Sequence, residues 1–268
     1  MSHADVELIE ALRLQWEWGA EEALLESPQD RRQKAPPASP MPSAAPKPAR
    51  PVAPPQRLRA PALPAAPSEA AEIAAAAGDL EALQTAMASF TGCALRDTAT
   101  QLVFADGAPD ARLMVIGEAP GGEEDRVGKP FVGPAGQLLD RMLGSIGLDR
   151  RTVRIANVIP WRPPGNRTPT PQETQICLPF IQRQIELVNP DVLVTLGNPS
   201  TQTLLSTREG IMRTRGKWFD YDTGTRVIKA IATFHPAYLL RSPSYKRMAW
   251  QDLRAIAQAL IQAAPPAS

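Results

Sequence analysis

From Ala70 onward the sequence alternates short β-branched runs with longer amphipathic segments, and this alternation restricts the fold more than any other feature of the chain. Arg112-Leu-Met-Val-Ile-Gly117 reads as a buried strand, Val153 to Val158 as a second, Asp191-Val-Leu-Val-Thr-Leu196 as a third and Val227 to Thr233 as a fourth. One helix is predicted through Gln137, Leu138, Leu139, Met142, Leu143 and Ile146. A second starts at Thr170-Pro-Gln-Glu173, which has capping-box spacing with proline at the first helical position, and runs to about Val188. A short helix follows Asn198, and a last one occupies about Tyr245 to Ala263. Strands separated by helices pair mainly in parallel, because a parallel neighbour needs a long crossover. The class is therefore α/β. Open parallel sheets place ligands at the carboxyl ends of their strands, which selects the loops Gly117 to Gly133, Asn157 to Thr170, Gly197 to Pro199 and Phe234 to Arg241.

The rest of the chain differs in composition. Of 29 prolines, 13 lie between Pro28 and Pro67, where seven Lys or Arg face one Asp. Such a stretch buries too little apolar surface to fold, so residues 28–69 are expected to be a disordered, basic Pro/Ala-rich linker, which either helps hold DNA or is a plain tether. Residues 1–27 carry apolar side chains from Val6 to Leu25 in a pattern compatible with an amphipathic helix. That helix reads equally as packing on the main domain or as docking to a protein partner. The folded domain is expected over 70–264, with a tail at 265–268. A formal net charge of +1 neither demands nor excludes nucleic acid, so a DNA surface has to be a local patch. No apolar run approaches the roughly 20 residues of a membrane span, and the N-terminus lacks the layout of a secretory signal. The expectation is a cytoplasmic protein with no membrane contact. Cys93 and Cys177 are the only cysteines, too few for a disulfide framework.

All the unusual local sequences fall in the four loops. Gly117-Glu-Ala-Pro-Gly-Gly-Glu-Glu-Asp-Arg126 gathers Glu118, Glu123, Glu124 and Asp125 near one mouth, a cluster suited to holding or activating a water. Glu123 reads instead as an acid at the positive end of a helix. The loop has neither G-x-G-x-x-G nor a P-loop lysine. Phe131 is a stacking platform for a flat ring or a core residue. Asn157, closing the second strand, offers an acceptor and two donors that match a ligand edge carrying a carbonyl and an N–H; a turn asparagine is the ordinary alternative. Arg162 and Arg167, on a stiff Pro-rich loop, suit phosphate contacts or structural ion pairs. His235, the lone histidine of the domain, ends the fourth strand, where it can stabilise an anion. Leu239 and Leu240 beside Arg241 read as an apolar wedge with a phosphate contact, or as leucines entering a helix.

Taken together, Gly117-Glu-Ala-Pro-Gly with Glu124-Asp125 and Gly128-Lys-Pro-Phe-Val-Gly133, then Asn157 with Arg162-Pro-Pro-Gly-Asn-Arg167, Leu196-Gly197 and His235-Pro-Ala-Tyr resemble the family 4 uracil-DNA glycosylases, in the right order from about Phe90 to Leu260. The resemblance implies a three-layer αβα sandwich with a central, mainly parallel four-stranded sheet. It also implies excision of uracil from U·G, U·A and single-stranded DNA to leave an abasic site, by a monomer that needs no nucleotide cofactor. By the same resemblance Glu118 and Glu124 support water activation and His235 donates to the leaving uracil oxygen. Asp125, Phe131, Asn157 and Gly197 surround the base, and Arg162, Arg167, Leu239, Leu240 and Arg241 meet the DNA. Family members typically hold a 4Fe-4S cluster on four cysteines. Here those positions fall on Phe90, Cys93, Trp161 and Cys177, so two of four thiolates are replaced and no cofactor is expected. An apolar plug of Phe90 and Trp161 around Cys93 and Cys177 is predicted in its place. The competing readings are a glycosylase for another deaminated base and a catalytically inactive DNA-binding or partner-recruiting relative.

Overall fold

The structure, a computed structural model, describes residues 57–58 and 69–263, all within one contact unit that spans residues 55–268. The helix expected over 1–27, the remainder of the linker and the 265–268 tail lie outside the described residues. In chain order the elements are β1 (Arg57–Leu58), α1 (Glu69–Ala76), α2 (Leu80–Ser89), α3 (Leu95–Thr98), β2 (Asp106–Gly107), β3 (Leu113–Gly117), α4 (Gly122–Val127) and α5 (Pro134–Gly144). They continue as β4 (Arg154–Asn157), α6 (Pro171–Val188), β5 (Val192–Leu196), α7 (Asn198–Leu204), α8 (Ile211–Thr214), β6 (Trp218–Asp222), β7 (Val227–Thr233), α9 (Pro236–Arg241) and α10 (Lys246–Gln262).

The four expected strands are all present and form the parallel centre of the sheet, in the order β7-β5-β3-β4. The sheet itself is larger and mixed, with seven strands ordered β1-β6-β7-β5-β3-β4-β2. This corrects the four-stranded expectation. β6 runs antiparallel to β7 and β2 antiparallel to β4, while β1 adds Arg57–Leu58, from within the expected linker, in parallel beside β6. The physical reason for β6 lies in Trp218-Phe-Asp-Tyr-Asp222, which buries Phe219 and Tyr221 and turns its aspartates outward, the period-two pattern of a sheet with one wet face. A tight turn then returns the chain to β7, with Thr223 N–H donating to Arg226 O at 3.0 Å and Gly224 at φ 91°.

β3, β4 and β5 are buried along their whole length, as expected of strands covered on both faces. Met114, Ile116, Leu193, Ala230 and Ala232 share one core cluster with Leu83, Met87, Phe180, Ile181 and Ile185 of α2 and α6. Their strand neighbours face the other layer, where α10 packs on β5 and β7 and contacts α5. This is a three-layer αβα sandwich. α6 begins as predicted: Thr170 Oγ1 accepts from Glu173 N–H at 3.2 Å, and Glu173 Oε2 accepts from Thr170 N–H at 2.7 Å. No helix among the described residues is long and apolar enough to cross a membrane. The parallel strands bring Gly117, Asn157, Leu196 and Thr233 to one edge of the sheet.

Candidate active site

Gly117 and Asn157 are register partners at the ends of β3 and β4. A Cβ on Gly117 would stand 2.4 Å from Asn157 Oδ1 and 2.6 Å from Phe131 Cζ. Only a glycine lets the amide and the ring approach so closely. Asn157 is buried, and its Oδ1 has no hydrogen-bond partner. Phe131 is held at φ 55°, a left-handed conformation that a bulky residue keeps only where its surroundings enforce it. Here Arg150 donates to the carbonyls of Pro130 and Phe131 at 3.0 and 2.5 Å. The Phe131 ring lies 5.4 Å from the imidazole of His235.

His235 caps α9, and its Nδ1 accepts the N–H of Ala237 at 3.1 Å. That bond places the proton of the neutral ring on Nε2. Desolvation in the cleft, reinforced by the Arg241 guanidinium and opposed by Glu124, pushes the pKa of His235 down to about 4. The strand that delivers it is fastened from beneath. Thr233 Oγ1 donates to Asp252 Oδ2 at 2.7 Å, Arg215 Nε donates to the same oxygen at 3.0 Å, and the Arg215 guanidinium lies over the Phe234 ring.

The acids separate by environment. Glu118 lines the cleft with Oε1 buried and unpartnered, and desolvation raises its pKa. Glu124 also lines the cleft, yet its carboxylate is occupied: Oε2 accepts from Gly121 N–H at 3.1 Å, and Oε1 accepts from Val132 and Gly133 N–H at 3.0 Å each. It braces the two halves of the first loop. Asp125, expected at the base, does not line the cleft. It is buried under α4 and accepts from Thr100 N–H and Oγ1–H at 2.8 Å each, tying the helix to the segment before β2. Glu123 sits in the first turn of α4, ion-paired to Arg126.

The cleft encloses about 610 Å³ and gathers Glu118, Glu124, Phe131, Asn157, Gly197 and His235 as expected. Gly197 has φ 83° and packs on His235 Cβ, 3.0 Å from where its own Cβ would be. Arg167 reaches the rim but is held bidentate by Glu173 at 2.6 and 2.9 Å, and Arg162 donates from Nε to Asn166 Oδ1 at 2.7 Å without lining the cleft. Leu239, expected as half of a wedge, is a core residue at 1% exposure because it faces inward from α9; Leu240 is 41% exposed. Arg241 lines the mouth. Sequence reasoning missed Asn198 and Tyr238, which also line the cleft. Asn198 has a buried Oδ1 without a partner, and its signal was available: a polar side chain directly after the glycine that ends β5.

Residues 104–254 match the family model described as the uracil DNA glycosylase superfamily. The chain belongs to the uracil-DNA glycosylase superfamily. Among curated proteins it is 43% identical to the type-4 uracil-DNA glycosylase of Thermotoga maritima over 166 residues, which is 61% of this chain and 85% of that protein. It is 37% identical to the Sulfurisphaera tokodaii type-4 enzyme over 187 residues, 68% of this chain and 85% of the relative. With the Archaeoglobus fulgidus type-4 enzyme the identity is 39% over 170 residues, 62% of this chain and 85% of the relative.

The resemblance implies a four-cysteine cluster, and the residues at the positions it assigns do not fit one. Phe90 and Trp161, which the resemblance sets at two of those positions, have rings 6.4 Å apart and stacked, and Phe90 meets Phe180 edge-on at 5.1 Å. All three are buried in the core cluster with Cys93 and Cys177. Cys177 donates its S–H to Cys93 Sγ at 3.9 Å, which brings the Cys93 thiol down to about 7, while the same contact and burial hold Cys177 well above an ordinary thiol. Among the described residues no group of three or more His, Cys, Asp or Glu is placed to hold a metal.

Proposed function

We propose that this chain is a cluster-free DNA repair glycosylase that flips uracil out of DNA and hydrolyses its N-glycosidic bond. The observation that carries the reading is one constellation. An imidazole with its proton fixed on an unbonded Nε2, an unpartnered buried amide oxygen and an unpartnered buried carboxylate oxygen line one cleft together with an aromatic ring.

The roles follow from the chemistry of the bond. When C1′–N1 breaks, the electron pair stays on the base, and the charge spreads to the uracil carbonyl oxygens. His235 Nε2–H donates to the oxygen beside N1, and a neutral ring serves because a placed donor in a water-poor site needs no full charge to stabilise an anion. Asn157 Oδ1 accepts the N3–H of uracil, and its amide N–H donates to the second carbonyl. Cytosine presents an acceptor where uracil presents that N–H, so it leaves a buried oxygen unpaired, a cost of about 1–3 kcal/mol. Phe131 covers the ring face. Glu118 Oε1 holds the water that adds to the oxocarbenium-like C1′ and takes its proton. Extrusion of the base costs a few kcal/mol, offset by these contacts and by Leu240 entering the stack.

A cytoplasmic monomer, with its N-terminal segment open to a protein partner, completes the reading; the two unbridged thiols support a reducing compartment. The test is alkali-induced scission of a uracil-containing oligonucleotide, with the visible spectrum taken on the same sample. Scission without absorption near 400 nm, and loss of roughly 10²–10³ in kcat in His235→Gln with DNA affinity kept, is expected. Binding without scission would favour the non-catalytic relative, scission at another deaminated base would move the specificity, and a brown protein would return the cluster.

A further inference from the structure

The arginines that the sequence offered to phosphate are already engaged, Arg167 by Glu173 and Arg162 by Asn166. A DNA strand passing the cleft has to find its cations elsewhere, since phosphate contacts are what hold a duplex or single strand in register. The side chains of Arg208 and Arg213 are exposed and make no ion pair or hydrogen bond among the described residues. They flank a shallow groove that shares Asn198 and Ile211 with the catalytic cleft and therefore opens directly out of it. The one acid in the groove, Glu209, is drawn off by Lys217 at 3.3 Å.

Two further features mark this bank as built for contact. Met212 is 50% exposed at the groove, and Leu240, 41% exposed, precedes the cleft-lining Arg241 on α9. The loop is also fixed. Ser206 takes φ 47°, a left-handed turn by a non-glycine residue, and Thr214 Oγ1 donates to the carbonyls of Glu209 and Gly210 at 3.3 and 3.0 Å, fastening α8 back onto the loop. Where the two cavities meet, the Oδ1 of Asn198 is buried and unpartnered.

We propose that residues 206–213 form a second DNA-binding bank that holds the strand flanking the extruded nucleotide, with Arg208 and Arg213 on its phosphates and Met212 against a sugar or base edge. The inference rests on the glycosylase reading and adds a surface to it. Leu240 and Arg241 grip the strand at the cleft, and the 206–213 bank grips it at the groove. An exposed thioether suits such a place, because it is flexible enough to follow an unstacked base.

The test measures affinity of the full chain for an oligonucleotide carrying a stable abasic analogue across a salt series, together with single-turnover excision of uracil. Arg208→Ala/Arg213→Ala is expected to weaken Kd on the order of tenfold and to reduce the slope of log Kd on log salt by roughly 1.8 on duplex or 1.4 on single strand. The excision rate at saturation stays unchanged. Met212→Ser is expected to weaken Kd without altering the slope. Arg151→Ala, 90% exposed at the opposite edge of the sheet, serves as the control and leaves both unchanged. Unaltered Kd and slope in the double variant, with a wild type that excises uracil, overturns the bank alone. A wild type that binds the abasic oligonucleotide but excises nothing overturns the glycosylase reading, while the double variant's affinity still decides the bank.

Discussion

At the residue scale the imidazole of His235 sets the acid behaviour of the molecule. Its folded pKa of about 4 lies below the value near 6.5 of an unfolded chain. Between those values the unfolded state binds the extra proton. The stability tied to the neutral ring is therefore complete above pH 6.5 and is lost as pH falls towards 4. In His235→Gln that portion of the acid loss should disappear from denaturation midpoints measured across the range. The same shift means that kcat/KM should show no titration near 6.5; its acid limb belongs to Glu118, whose raised pKa marks where the water-holding carboxylate becomes protonated. A limb centred at 6.5 that vanishes in the His235 variant would show a solvated ring instead. Gly117→Ala tests the crowding directly. A Cβ there would sit 2.4 Å from Asn157 Oδ1 and 2.6 Å from Phe131 Cζ, so excision should fall at least a hundredfold while the circular dichroism spectrum is kept.

At the element scale, the helix and strand pattern was legible where one residue type dominated a face. β3 was visible as an unbroken apolar run and β5 as an apolar run interrupted by Thr195 alone, and the start of α6 was visible in Thr170 and Glu173, whose side chains cap each other's backbone N–H as their spacing required. β6 was not found, because Trp218-Phe-Asp-Tyr-Asp222 mixes aromatics with acids, and only its partner β7 reveals which residues face inward. Site residues divided similarly. Gly117 and Asn157 end strands and His235 follows the end of β7 by two residues, so topology brought them together, whereas the orientations of Asp125 and Leu239 depended on which face of a short helix met the core. Arg167 illustrates the limit: its pairing with Glu173 lowers that carboxylate to about 2. The pair's stabilisation is present above the ordinary glutamate pKa and is lost as pH falls towards 2. Arg167→Ala should lower the chemical denaturation midpoint only slightly, since an exposed pair contributes little, and leave the salt slope of DNA binding unchanged; a reduced slope would return Arg167 to the phosphates.

At the scale of the whole molecule, the sandwich covers both faces of the parallel strands and leaves the chemistry to their carboxyl edge. Groups from β3, β4, β7 and the loop before α5 meet there, so the site exists only when the layers are assembled. Residues 55–268 contain the strands and helices that position it, including β1. Removing residues 1–54 is accordingly expected to leave the thermal midpoint and the single-turnover excision rate unchanged, and a fall in either would show that the N-terminal segment packs on the domain. The joint between α2 and α6 is the other place where distant segments depend on one another. Trp161→Ala should cost about 3–5 kcal/mol there, read from the denaturant midpoint, because Phe90, Phe180 and the two thiols cannot all close over the space.

That joint of stacked rings has a consequence for how the protein comes into being. On the proposed cluster-free reading, a fastening of stacked rings is finished when the polypeptide is finished: it waits on no delivery of iron or sulfide. Its only oxidisable groups are then the two buried thiols, Cys93 and Cys177, so the domain closes as soon as it is translated.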